Sequence, residues 1–169
     1  MRRSDNSHQP LYSPAERVRR DQSKWTLVQA LLAPIQFIVF LISAALVVRY
    51  LASGEDLALA TGSVVLKTVL LYLIMVTGCI WEKDVYGVYL FAPAFYWEDV
   101  FSMLVLALHT AYLLALATSA ISAKHQMWLA LAAYAAYAIN ATQFVLKLRR
   151  ARLQTPRTLI NKTTSGLAA

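Results

Sequence analysis

LALATGSVVLKTVLLYLIMVTGCI (57–80), WEKDVYGVYLFAPAFYWED (81–99) and VFSMLVLALHTAYLLALATSA (100–120) follow one another without a break, and their reading decides the fold. The first and third runs each meet the ~20 apolar residues needed to cross a hydrocarbon core. Inside lipid a backbone has no water to bond, so each crossing must be a helix. The stretch between them is too charged and too aromatic to be a crossing of its own. Its apolar middle, 88–95, is too short to span, which leaves an interfacial or a re-entrant position for it.

Two further apolar runs flank this unit, at 25–50 and 127–145. The fold expected is therefore all-α: a polytopic membrane protein built as a four-transmembrane-helix bundle. Composition points the same way, with 59% hydrophobic and only 15% charged residues in 169, where a soluble domain carries about 25% charged. Pro34 is expected to kink the first span. Ahead of it, residues 1–12 read as disordered. Ser13, Pro14 and Glu16 then form the pattern of a capped helix start. The polar 1–24 stretch lacks the short apolar core of a cleavable signal, so the first span is expected to stay in the mature chain. With Cys79 the single cysteine, an intrachain disulfide and a thiolate metal cluster are both excluded.

Charge sets the orientation. The net charge is +7, and twelve of the sixteen basic residues sit at the two ends, six in 1–24 and six in 147–169. The 51–56 connection carries Glu55 and Asp56, and the 121–126 connection only Lys124 and His125. The positive-inside rule then puts both termini in the cytoplasm, which an even number of spans satisfies. The cations flank apolar spans and form no basic face, so their partner is anionic lipid headgroups and no nucleic acid is expected. The chain divides into a basic segment 1–24, a transmembrane domain 25–147 and a basic tail 148–169.

Polar groups inside such spans are costly and mark function by default. Lys67 and His109 each lie about ten residues into a span, near mid-depth. Lysine snorkelling is the bland alternative for Lys67, a carbonyl-bonded core imidazole that for His109. Gln29, Gln36 and Ser43 recur every seven residues on one face, and Asn140 and Gln143, three apart, share a face of the last span. Interhelical hydrogen bonding accounts for them. Residues 81–97 hold seven aromatics, namely Trp81, Tyr86, Tyr89, Phe91, Phe95, Tyr96 and Trp97. Interfacial anchoring explains Trp81 and Trp97; the surplus points to a surface for a planar, apolar ligand. Glu98 and Asp99 open a helix, where the macrodipole favours carboxylates. They also sit beside Phe95, Tyr96 and Trp97, where desolvation would raise a carboxyl pKa and suit general acid–base work. Glu98, Ser102 and His109 share a face to within about 40°. A distance of ~16 Å between the first and last fits two ends of one large flat ligand. There is no phosphate-binding glycine loop, HExxH or GxSxG.

The runs LYLIMVTGCIWEK (71–83) and YLFAPAFYWEDVFSMLVLALHTAYL (89–113) closely resemble the 3-vinyl bacteriochlorophyllide hydratases of phototrophic bacteria. Residues 25–51 resemble that family's first span and 132–154 its last, so the likeness covers about 11–154. It implies a hydro-lyase of the bacterial cytoplasmic or intracytoplasmic membrane, adding water to the ring-A vinyl group of chlorophyllide a or the matching bacteriochlorophyllide. The partners implied are that pigment, the bilayer and neighbouring pigment-synthesis enzymes. No cofactor is needed, because hydration is redox-neutral and the magnesium belongs to the substrate.

Chemistry then assigns roles. Glu98 is expected as general acid, with Asp99 or Glu82 positioning or deprotonating the water. His109 is the candidate axial ligand of the substrate magnesium. Lys67 or Lys83 pairs with the substrate carboxylate. Trp81, Phe95, Tyr96 and Trp97 line the macrocycle. Two other readings stay open: a non-catalytic pigment-binding factor for photosynthetic assembly, and a small transporter or channel subunit. The absence of an inverted repeat or a pair of broken helices weighs against the second.

Overall fold

The computed structural model describes residues 11–153; residues 1–10 of the expected basic segment 1–24 and 154–169 of the expected basic tail 148–169 lie outside them. Five helices follow in order: α1 (Pro14–Gln22), α2 (Lys24–Ser53), α3 (Leu57–Tyr86), α4 (Tyr96–Thr118) and α5 (Ala123–Leu153). The last four are long and apolar enough to cross a membrane. The expected all-α bundle of four spans is what the chain forms. Successive spans run antiparallel. α2 packs along α3 and α4 along α5, and the pairs close on each other through α2–α5 and α3–α4.

The outside of this bundle is greasy. Leu31, Ile38, Leu41, Val69, Val76, Leu114 and Ile139 are all exposed, as lipid-facing side chains should be. The inside is narrow: Ala60, Ala130 and Ala133 are buried beside Val47, Val64, Tyr112 and Tyr134. Small residues let helix backbones approach where lipid offers no hydrophobic drive to associate. Polar bonds pin the register. Gln29 donates to Thr77 at 2.7 Å. Ser63 donates to the Ala60 carbonyl, so Ser43 donates to Ser63 at 2.6 Å and Tyr134 donates to Ser43. Asn140 donates to Ser102 at 2.8 Å. The expected seam of interhelical bonds thus holds for Gln29, Ser43 and Asn140. Gln36 Nε2, Gln143 Oε1 and the Oδ1 of Asn140 itself are buried and unpartnered among the described residues.

α1 begins as expected, with a complete capping box: Glu16 N donates to Ser13 Oγ and Ser13 N to Glu16 Oε2. Helix α2 runs unbroken through Pro34. The expectation of disorder up to residue 12 fails at its end, since Tyr12 is buried and stacks on Tyr86 at 5.9 Å. Ser23 donates to Asp84 at 2.8 Å and Trp81 to Thr26 at 2.9 Å. These contacts strap α1 and the start of α2 to the last turns of α3.

The 81–99 connection is shorter than its apolarity implies. α3 continues to Tyr86 and α4 starts at Tyr96, so only 87–95 is non-helical. Glu82, Lys83 and Asp84 are charged but tolerate a helix, and what ends α3 is Gly87. It sits at φ +83, where its N–H bonds the Lys83 carbonyl, a left-handed cap that a Cβ would strain.

Candidate active site

At 30 residues, α3 is about 45 Å long, well over the ~30 Å of hydrocarbon. Its last turns therefore reach beyond the span read as 57–80. They meet the first turn of α4 and the last turns of α5, and the 87–95 segment folds down over the junction. Ala92 and Phe95 point inward, while Val88, Tyr89 and Phe91 face out.

Phe95 is the centre of this junction, at 2% exposure. Trp81 and Tyr86 of α3 meet its edge at 5.7 and 5.9 Å, and Phe144 of α5 stacks on it at 5.8 Å. Three carboxyls surround the cluster, and all are buried: Glu82, Glu98 and Asp99. Their partners differ. Glu98 is ion-paired with Lys147 of α5, whose ammonium also lies over the Phe95 ring. Glu82 and Asp99 face each other. Each also takes one backbone N–H from the folded segment: Ala92 donates to Glu82 at 3.3 Å and Phe91 to Asp99 at 2.8 Å.

Presenting two successive amides in this way needs an unusual backbone. Phe91 sits at φ +60, a left-handed conformation that is rare for a bulky residue and is held by its surroundings where it occurs. Glu82 and Asp99 lie outside the apolar spans 57–80 and 100–120. Burial raises both carboxyls above the usual carboxylate range, and at Glu82 the Asp99 charge adds to the shift. Two such groups out of water hold a proton more readily than a single exposed carboxyl.

The other expected site residues are dispersed. Tyr96 and Trp97 are exposed on the outer face; Tyr96 meets Trp97 edge-on at 5.5 Å and Phe91 at a tilt at 5.7 Å. Lys83 is exposed, donating to the Gly87 carbonyl at 2.9 Å. Lys67 and His109 are fully buried in mid-bundle. His109 Nδ1 bonds the Val105 carbonyl at 2.8 Å, so Nδ1 carries the hydrogen and Nε2 keeps its lone pair. Lys67 Nζ lies 3.7 Å from the centroid of Tyr137.

Four participants escaped the sequence reading: Phe144, Lys147, Tyr134 and Tyr137. Lys147 counted there only as a topogenic cation. The signal available was helical spacing, since Tyr137, Asn140, Phe144 and Lys147 recur every three or four residues on one face of α5. Among the described residues no cluster of three or more metal-ligating side chains occurs.

A family model described as 2-vinyl bacteriochlorophyllide hydratase matches residues 12–150. A protein of that name from Cereibacter sphaeroides is 63% identical over 146 residues, covering 86% of this chain and 91% of its own. Another of that name, from Rhodobacter capsulatus, is 62% identical over 148 residues, covering 88% of this chain and 86% of its own. No solved structure matches the chain.

Proposed function

The chain belongs to the 2-vinyl bacteriochlorophyllide hydratase family, and we propose that it is itself a hydratase of bacteriochlorophyll synthesis. Its reaction is addition of water across the ring-A vinyl group of chlorophyllide a or the matching bacteriochlorophyllide, leaving a 1-hydroxyethyl group. The 2-vinyl of these names and the 3-vinyl of the sequence resemblance are one group under two numberings of the macrocycle. The membrane is the bacterial inner membrane, cytoplasmic or intracytoplasmic, with both chain ends in the cytoplasm. Neighbouring pigment-synthesis enzymes are natural partners for a substrate dissolved in the bilayer.

The observation that carries this reading is the buried Glu82–Asp99 pair beneath the aromatic cluster of Trp81, Tyr86, Phe95 and Phe144. Protonating a vinyl carbon is the hard step of hydration. It needs an acid that keeps its proton near neutrality and is held at the carbon. A desolvated carboxyl pair has that property. In the proposed sequence the pair gives its proton to the terminal vinyl carbon. The cation forms on the carbon joined to the macrocycle, which delocalises it. Water bonds to that carbon, and its surplus proton returns to the pair, so the acid is regenerated and no cofactor is consumed.

Glu98, the acid expected from sequence, takes a different part here. Paired with Lys147, it is a strut between α4 and α5 at the edge of the site. Trp81 and Phe95 offer the macrocycle a stacking wall. Tyr96 and Trp97, on the outer face, form the side from which a bilayer-dissolved pigment arrives. His109, with a free Nε2 lone pair, suits axial coordination of the substrate magnesium.

The test is to supply chlorophyllide a to membranes containing this chain. The expected product is heavier by one water, with its red absorption band shifted to the blue. Pigment that is bound but unchanged would make the chain a pigment-binding assembly factor and overturn the hydratase reading.

A further inference from the structure

Lys67 is a buried lysine with no anion beside it among the described residues. Its side chain is fully buried, and Nζ has no hydrogen-bond partner among the described residues. Only the face of Tyr137 attends it. The spans 25–50, 57–80, 100–120 and 127–145 contain no Asp or Glu. These spans, in this chain or in a second copy of it, therefore supply no side-chain carboxylate at that depth. An ammonium left so is expensive in a low-dielectric interior, and an aromatic face offsets only part of the cost.

Two neighbours share the condition. Gln36 Nε2 and His109 Nε2 are also buried and unpartnered among the described residues. Gln36 lies midway between Gln29, bonded to Thr77, and Ser43, bonded to Ser63. That places it level with about residue 70 of α3, one turn from Lys67. Tyr137 and Tyr134, one turn apart on α5, back the lysine and the imidazole respectively. Buried polar atoms in native proteins nearly always have partners. Here an amine and an amide donor, both buried and unpartnered among the described residues, lie about one helical turn apart in level, which suits a group with two oxygens and one negative charge. A doubly charged phosphate would be far costlier to desolvate there.

We propose that Lys67, with Gln36 beside it, seats the free carboxylate of the pigment. The inference rests on the hydratase reading and deepens it by fixing how the substrate stands in the bundle. From Lys67 to Glu82 is fifteen residues of α3, about 22 Å of helix rise. The lysine side chain, the carboxyl side chain and the macrocycle with its acid arm together cover that span, the acid arm toward Lys67 and the vinyl group toward the Glu82–Asp99 pair. Lys83, the other lysine considered for this role, is already engaged by the Gly87 carbonyl and open to water.

The experiment compares binding of chlorophyllide a with that of its methyl ester, using the full chain in lipid nanodiscs and following pigment absorption. The wild type should hold the free acid roughly tenfold tighter than the ester. Lys67→Met should collapse that ratio to near one, and Lys67→Gln should do the same. Lys67→Arg, which keeps the charge, should retain most of it. Equal affinities in the wild type, or an undiminished ratio in both neutral variants, would overturn the proposal. Oleate separates the pigment from a lipid source. If oleate blocks the acid in the wild type but not in Lys67→Met, the lysine serves a lipid carboxylate and the pigment assignment falls. Lack of any such competition supports it. Hydration is scored separately. A chain that hydrates pigment yet ignores esterification keeps its function and loses this site; one that discriminates without hydrating does the reverse.

Discussion

Glu82 and Glu98 have the same side chain, both border the Phe95 cluster, and both are buried, yet their neighbours set them opposite tasks. Glu98 has a lysine as its partner; Glu82 has a second carboxyl and a backbone N–H, which leave a proton to be shared. Glu82→Gln and Asp99→Asn should each lower hydration by about 10²–10⁴-fold, the usual worth of a positioned acid or base, read as water-adduct formed per unit of inserted protein. Glu98→Gln should cost less in rate and more in the melting of detergent-solubilised protein, because it leaves Lys147 unpaired at the α4–α5 junction. Equal rate losses in all three would remove the distinction. The pH dependence has a definite sign. Burial raises both members of the pair, and the acid works only while protonated. Hydration should therefore be present at neutral pH and fall as pH climbs through the raised values; a rate still rising in alkali would sink the role. The carboxyls, the aromatics, Lys67 and His109 were all legible as residue types in costly places. Their pairing was not, because Lys147 lies 49 residues from Glu98 along the chain and its charge already had a reason to be there.

The elements were legible as spans and less so as helices. Apolarity marks what lies in lipid, whereas a helix stops where its backbone is made to turn. Hence α3 outruns its apolar stretch, read as ending at Ile80, and stops at Gly87, placing Glu82 inside a helix rather than in a loop. Gly87→Ala should cost about 1–2 kcal/mol, the strain of a left-handed residue with a Cβ, measured as a lower denaturation midpoint in detergent. A midpoint equal to wild type would show that α3 can end elsewhere. At the other end of the strap, Ser13→Ala removes one half of the α1 capping box, worth about 1 kcal/mol. The expected result is faster proteolysis before residue 24 with the four spans left intact. The 87–95 fold was beyond reach of periodicity: it hangs on Phe91 at φ +60 and on two amides offered to side chains from different helices.

Taken whole, the molecule is inverted relative to a soluble protein, with its large apolar side chains outside and a thin polar seam within. Four crossings bring α1, the 87–95 segment and the far end of α5 to one end of the bundle. In a Cys79→Ser background, Asp21→Cys should be labelled by an impermeant thiol reagent only from the cytoplasmic side, and Lys124→Cys only from the opposite side. The reverse pattern, or labelling of both from one side, would break the proposed topology. The Glu98–Lys147 pair also has a consequence in time. A ribosome makes Glu98 while the third crossing is still being threaded, but its counter-charge appears only after another 49 residues have been joined. Until the final crossing docks, the vestibule around Phe95 lacks a wall, Phe144, and an ion, Lys147. A chain docked only as far as its third crossing therefore has an incomplete site.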